Sequence, residues 1–468
     1  MTKMNTPRIM FAGTGSGCGK TMITCLAMAE YLHRELKISG WKCGPDYIDP
    51  MFHRKVLGIP TGNLDAFFCE EPKLRSLLAS RGENTALQVI EGVMGYYDGI
   101  GDGSLASSAH IAKLTDTPVI LIINGKGMSA SIRAVIQGFK NYQNEGAGQI
   151  KGILLNRVSG GVYEKMAPYI RKEGLVPVGY IPDLKEHTLE SRHLGLIPPE
   201  EIPDFKERLE RLRMETGEGI DYDAIFEVAK SASPLAYTDD HLSSINLSSD
   251  NSDFRGLRLL VARDDCFSFC YEENMELFQK LGMEIIYFSP LKAEHLPDGD
   301  GIYLCGGYPE LYAKQLEANE SLRTELKNTL EKGFPCIAEC GGYMYLQKQV
   351  EAADGERYNM VGYLNKIAKK GHFLKQFGYV TMTAGKDNLL AAKGDTLRAH
   401  EFHYWQVDAA DSIYHMQKPF SDRGWDGAEG NAHFYGGFPH LYFPGNEGAA
   451  VRFAHKMKEW KEDSQRKR

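Results

Sequence analysis

The sequence predicts an α/β protein built of two doubly wound domains. Short β-rich runs alternate with helical patterns through the first half, and the same alternation restarts after a polar stretch. In each half, a strand also runs directly into a glycine-rich turn and then into a helical pattern. The length of 468 residues is beyond a single ordinary core and suits two domains.

In the first half the strands are "RIMFAG" at 8–13, "ALQVIEG" at 86–92, "TPVILIING" at 117–125, "QIKGILLNRV" at 149–158 and "LVPVGYIP" at 175–182. Strands separated by helices predict a parallel sheet covered on both faces. Residues 231–255 are rich in Ser, Asp and Asn and nearly free of periodic apolar residues, which predicts a linker between a domain at 1–230 and a domain at 256–468. In the second domain "LRLLVARDD", "MEIIYFSP", "GIYLCGG" and "FPCIAEC" are strands, and "YEENMELFQKLG" is a helix.

Composition excludes several classes of function. A 43% apolar and 25% charged chain is globular, and a net charge of −8 without clustered Lys and Arg gives no reason to expect nucleic acid or an anionic membrane as partner. Nine cysteines without metal-ligand spacing suit free thiols in a reducing compartment. The opening "MTKMNTPRIMFAG" lacks the apolar segment of a signal peptide, and "PVILII" is too short to span a bilayer, so a cytoplasmic location is expected.

"GTGSGCGKT", Gly13 to Thr21, follows the first strand and opens a helix with Ile23, Leu26, Ala27 and Tyr31 on one face. That is the context of a phosphate-binding loop. Gly13, Thr14, Gly15, Gly17 and Gly19 would turn backbone amides onto ATP phosphates, Lys20 would bring a charge to the β and γ phosphates, and the Thr21 hydroxyl would reach Mg²⁺. The strict spacing puts glycine at position 14, where this chain has Thr14. Two acids at strand ends, Asp46 and Glu91, are candidates to hold the metal. Asp98, in "YYDG", is either a further acid serving substrate activation or a turn former. Asn156, after "KGILL", either reaches the adenine or forms a turn.

Cys340 ends the strand "FPCIAEC" and precedes Gly341 and Gly342, the pattern of a nucleophile held on a sharp strand-to-helix turn. The Gly341 amide would face the oxyanion of a tetrahedral intermediate, with Gly306 and Gly307 of "LCGGYPE" supplying a second donor. The thiol requires a base, and spacing leaves His400, His403 and His440 as equal candidates. Cys336, in the same apolar run, is expected to be buried and inert.

Taken in order, "KCGPDYIDP", "EGVMGYYDG", "FSPL", "GGYPEL", "AECGGYMYL" and "HEFHY" resemble the cobyrinic acid a,c-diamide synthase family from about residue 8 to about 445. The resemblance implies a P-loop amidoligase domain joined to a class I glutamine amidotransferase-like, flavodoxin-like domain. It implies hydrolysis of L-glutamine at Cys340 with His440 as partner, and ATP with Mg²⁺ activating the a and c acetate carboxylates of a corrin-type tetrapyrrole as acyl phosphates, which ammonia then attacks. A homodimer is the expected assembly. Many related amidotransferases carry Glu two residues after the histidine, whereas here Leu441 and Tyr442 follow His440, so the group orienting His440 is unassigned. A nickel-sirohydrochlorin a,c-diamide synthase resembles the chain nearly as well, and a hydrogenobyrinic acid a,c-diamide synthase is a further alternative. Partitioning-type P-loop ATPases share the loop but place a second lysine where this chain has Gly15.

Overall fold

In the computed structural model, Arg8–Gly13 (β1) is the central strand of a seven-stranded, wholly parallel sheet. Its partners in chain order are Ile38–Cys43 (β2), Thr61–Leu64 (β3), Leu87–Glu91 (β4), Val119–Asn124 (β5), Ile150–Asn156 (β6) and Val176–Ile181 (β7), arranged β3-β2-β4-β1-β5-β6-β7. The description covers residues 2–142, 147–184, 191–192, 195–196, 204–238, 253–371, 376–408 and 411–466. Every residue of β1 is buried, as expected of a strand covered on both faces. The chain builds outward from β1 first on one side and then on the other, so the strand order reverses between β4 and β5. Open α/β sheets bind ligands at such a reversal, beyond the carboxyl ends of the strands.

The chain divides into two compact units, Met1–His241 and Leu242–Arg468. The expected linker at 231–255 differs at its start, because Leu235–Tyr237 forms a strand antiparallel to Thr2–Met4, with Leu235 and Tyr237 buried. Arg8 reinforces this edge by donating to the carbonyls of Thr115, Asp116 and Ser233. Two strands escaped the sequence reading, β2 "ISGWKC" and β3 "TGNL". Both are short and carry glycine or polar residues, so no apolar run or strict alternation marks them.

In the second unit, Arg258–Ala262 (β8), Glu284–Phe288 (β9), Gly301–Leu304 (β10) and Cys336–Glu339 (β11) fall where expected. They join Phe434–Gly437 and Glu429–Gly430 in a six-stranded sheet, parallel except for Glu429–Gly430. Beyond the expected doubly wound core there is a five-stranded antiparallel sheet formed by Phe377–Ala384, Thr396–Phe402, Tyr414–Gln417, Gly424–Gly427 and His440–Leu441. The segment 434–441 thus leaves one sheet beside β11 and enters the other within a few residues. That crossing carries His440 to the end of the strand that bears Cys340. No helix among the described residues is long and apolar enough to cross a membrane.

Candidate active sites

The glycine loop leaves β1 and ends at Lys20, the first residue of the helix Lys20–His33 (α1). Gly19, the residue before that helix, has φ of 97°, and a Cβ there would lie 2.5 Å from the Asn156 amide nitrogen. Only glycine satisfies both the left-handed backbone and the close approach. Asn156 donates from Nδ2 to the Cys18 carbonyl at 2.8 Å and accepts from the Arg157 amide, so its side chain clasps the loop from the sheet edge. Lys20 Nζ donates to the Gly15 carbonyl at 3.1 Å, and burial lowers its affinity for a proton.

Next to the loop is a buried network of charge. Thr21 donates to Glu91 Oε1 at 2.6 Å, and Lys42 Nζ donates to the same oxygen at 3.0 Å. Lys42 also pairs with Asp49 at 2.6 Å, and His53 Nε2 lies 3.0 Å from Glu91 Oε2. Burial pushes the Glu91 carboxyl up, but Lys42 and His53 outweigh it and hold it well below the usual carboxylate range. Asp49 is driven the other way by burial and by the nearby charges of Asp46 and Glu91. Acids gathered beside the loop, Glu91 and Asp49 among them, suit a divalent cation beside phosphate. Among the described residues, however, no three His, Cys, Asp or Glu side chains converge on a metal-sized point. Any Mg²⁺ would therefore take much of its coordination from phosphate and water, the usual habit of this ion.

Sequence reasoning missed Lys42, Asp49 and His53. "DYIDP" held the signal for Asp49, because a second acid three residues after Asp46 returns to the same side of a helical turn. Asp46 itself accepts from the amides of Ile48 and Asp49 and so fixes the start of that turn. Asp98 accepts from the Gly95 amide at 2.9 Å, closing its own loop.

Cys340 has φ of 45° and ψ of −104°, a conformation that costs a non-glycine residue on the order of 1–3 kcal/mol. The strain is held by the Cys340 amide donating to the Gly437 carbonyl at 2.7 Å and by the helix Gly341–Tyr345 (α2) that follows. Cys340 keeps 7% of its surface exposed while Cys336 has none. The Gly341 amide is directed at the Cys340 sulfur, and the Gly307 nitrogen lies 2.7 Å from where a Gly341 Cβ would be. The Gly306 amide instead donates to the Phe269 carbonyl, which leaves Gly307 as the member of that pair to act with Gly341.

Of the three histidines, His440 lies against this turn: a Cβ on Gly306 would come within 2.3 Å of its Cε1. His400 pairs with His440 across the strands but is half-buried beside Tyr379 and Phe402. His403 is stacked 3.8 Å from Phe438 and engaged by Glu401 and the Trp405 carbonyl. Glu339, the residue just before Cys340, brings a carboxyl group beside His440, with Oε2 3.7 Å from Nδ1. Glu339 is fixed by the Tyr303 hydroxyl at 2.8 Å and the Leu441 amide at 3.1 Å. Nothing in the sequence flagged it, because on a strand residue 339 is expected to face away from residue 340.

Burial sets the resting charges. It lowers His440 to about 3 and raises Glu339 to about 8, and together with Glu310 it pushes the Cys340 thiol up. The site therefore rests as a neutral thiol beside a neutral imidazole, ready to generate a charge pair only when sulfur attacks.

Residues 9–197 match the family described as the CobQ/CobB/MinD/ParA nucleotide binding domain, and residues 258–448 match the CobB/CobQ-like glutamine amidotransferase domain. A cobyrinate a,c-diamide synthase of Listeria innocua is 36% identical over 93% of this chain and 96% of its own length. One from Thermoplasma volcanium is 36% identical over 96% of this chain and 97% of its own length. One from Salmonella typhimurium is 36% identical over 84% of this chain and 85% of its own length.

Proposed function

Since the chain belongs to the cobyrinate a,c-diamide synthase family and is a glutamine-dependent, amide-forming ligase with a nucleotide-binding domain, we propose that it amidates the a and c acetate carboxylates of cobyrinic acid in cobalamin biosynthesis, using ATP. The observation that carries this reading is the strained Cys340 with two backbone amides and His440 beside it, in a chain that also holds a lysine-bearing glycine loop.

In the second unit the Cys340 sulfur adds to the glutamine carboxamide carbon as its proton passes to His440, and the Gly307 and Gly341 amides receive the oxyanion. Collapse of the intermediate expels ammonia, which takes the proton from His440, and leaves a thioester on Cys340. Water then releases glutamate. Glu339, 3.7 Å from Nδ1, orients the ring.

In the first unit, a carboxylate is a poor acyl donor until an oxygen becomes phosphate, and Lys20 with the loop amides neutralises the charge on the transferring phosphoryl group. Ammonia displaces phosphate from the acyl phosphate to give the amide. Mg²⁺, when bound, would be held by Thr21 with Glu91 and Asp49 nearby and would screen phosphate charge. We assign the protein to the cytoplasm and expect it to act as a homodimer.

The deciding experiment incubates the protein with ATP, Mg²⁺, glutamine and, separately, cobyrinic acid, hydrogenobyrinic acid and nickel-sirohydrochlorin, and counts added amides by mass. Two amides on cobyrinic acid are expected. Two amides on nickel-sirohydrochlorin alone, or ATP hydrolysis with no amide on any substrate, would overturn the assignment.

A further inference from the structure

Close to Cys340 is a carboxylate that the reaction scheme above does not use. Glu401 is 2% exposed, and its Oε1 is engaged by His403 Nε2 at 3.1 Å. Its Oε2 is buried with no hydrogen-bond partner among the described residues. A buried carboxylate oxygen without a donor is costly, and natural folds tolerate one where something else supplies the donor.

The rest of Glu401's surroundings hold it in place. His403 is stacked almost parallel on Phe438, and its Nδ1 faces the Trp405 carbonyl, so the Nδ1 proton is donated there. Nε2, 3.1 Å from Oε1, anchors Glu401 on that side. Phe438 directly follows Gly437, whose carbonyl accepts from the Cys340 amide. Glu401 and Glu310 both lie within electrostatic reach of the Cys340 thiol. Glu310 is a poor match for a cation, because burial raises it to about 8 and keeps it protonated at neutral pH.

We propose that Glu401 Oε2 accepts the α-ammonium group of glutamine seated at Cys340, and that His403 is the positioning residue for that carboxylate. The inference rests on the glutamine hydrolysis proposed above and makes Glu401 the residue that distinguishes an amino acid from a simple primary amide. An ammonium group supplies the charged donor that the buried Oε2 lacks.

The test compares kcat/KM of the full chain for hydrolysis of L-glutamine and of 4-carbamoylbutanoate, which lacks only the α-amino group. The wild type should favour glutamine by on the order of 100-fold, since a site built around a hydrogen bond rejects the analogue that cannot make it. Glu401→Gln should lower kcat/KM for glutamine by a similar factor while changing the analogue by less than about threefold, with Glu401→Asp recovering part of the preference. Equal use of the two substrates by the wild type, which needs no variant to fold, would overturn the proposal. So would a Glu401→Gln protein that loses both substrates equally or keeps the wild-type ratio. A wild type that hydrolyses neither and forms no acyl adduct on Cys340 would instead remove the glutamine-hydrolysis reading, and this inference with it.

Discussion

At Cys340 a left-handed backbone, a neutral thiol and a neutral imidazole coexist because the surrounding sheet, not the residue, fixes them. Glu339 makes the same point through protonation. Its carboxyl is raised from an ordinary value of 4.5 to about 8, so between those pH values the folded chain retains a proton that the unfolded chain has released. Its contribution to stability is therefore full below about 4.5 and is lost as pH rises toward 8, at up to about 1.4 kcal/mol per pH unit. Glu339→Gln should flatten that decline, as measured by denaturant unfolding between pH 6.5 and 8. An unchanged slope would mean that Glu339 is ionised in the folded protein. The residue was invisible in sequence because its role depends on a histidine about a hundred positions away.

At the scale of elements, the turn following β2 shows how local structure delivers charge. Ile48–Met51 is a single α-helical turn that runs straight into a π-helical turn, Phe52–Val56, which carries His53. Such wide turns are rare and recur at functional sites, and here one brings a fully buried imidazole to Glu91. His53→Ala should destabilise the first unit by about 1–3 kcal/mol, because it removes the imidazole that lies 3.0 Å from the buried Glu91 Oε2. Thermal unfolding would measure the loss, and an unchanged midpoint would show that Lys42 and Thr21 suffice. The "DYIDP" motif was readable as an acidic turn, but nothing in its spacing announced a change of helical pitch.

For the whole molecule, two centres in two units predict two separable losses. Cys340→Ser should abolish amidation driven by glutamine while leaving amidation driven by high ammonium, because only the nitrogen-releasing step uses the thiol. Lys20→Ala should reduce amidation from both nitrogen sources by at least about 100-fold, because acyl activation precedes either one. Product masses under the two nitrogen sources check both expectations, and a Cys340→Ser protein inactive with ammonium would contradict the division of labour. The two-domain plan, the glycine loop and the cysteine turn were legible because each depends on neighbours within a few residues: a strand, glycines and a helix start. The sequence by itself therefore determined the fold class, the loop that opens α1 and the strand-ending thiol. Only the tertiary structure decided that Glu339 lies beside His440, that Lys42 and His53 flank Glu91, and that Asn156 clasps the loop. Those contacts join residues far apart in the chain, and their energies depend on burial that no local pattern records.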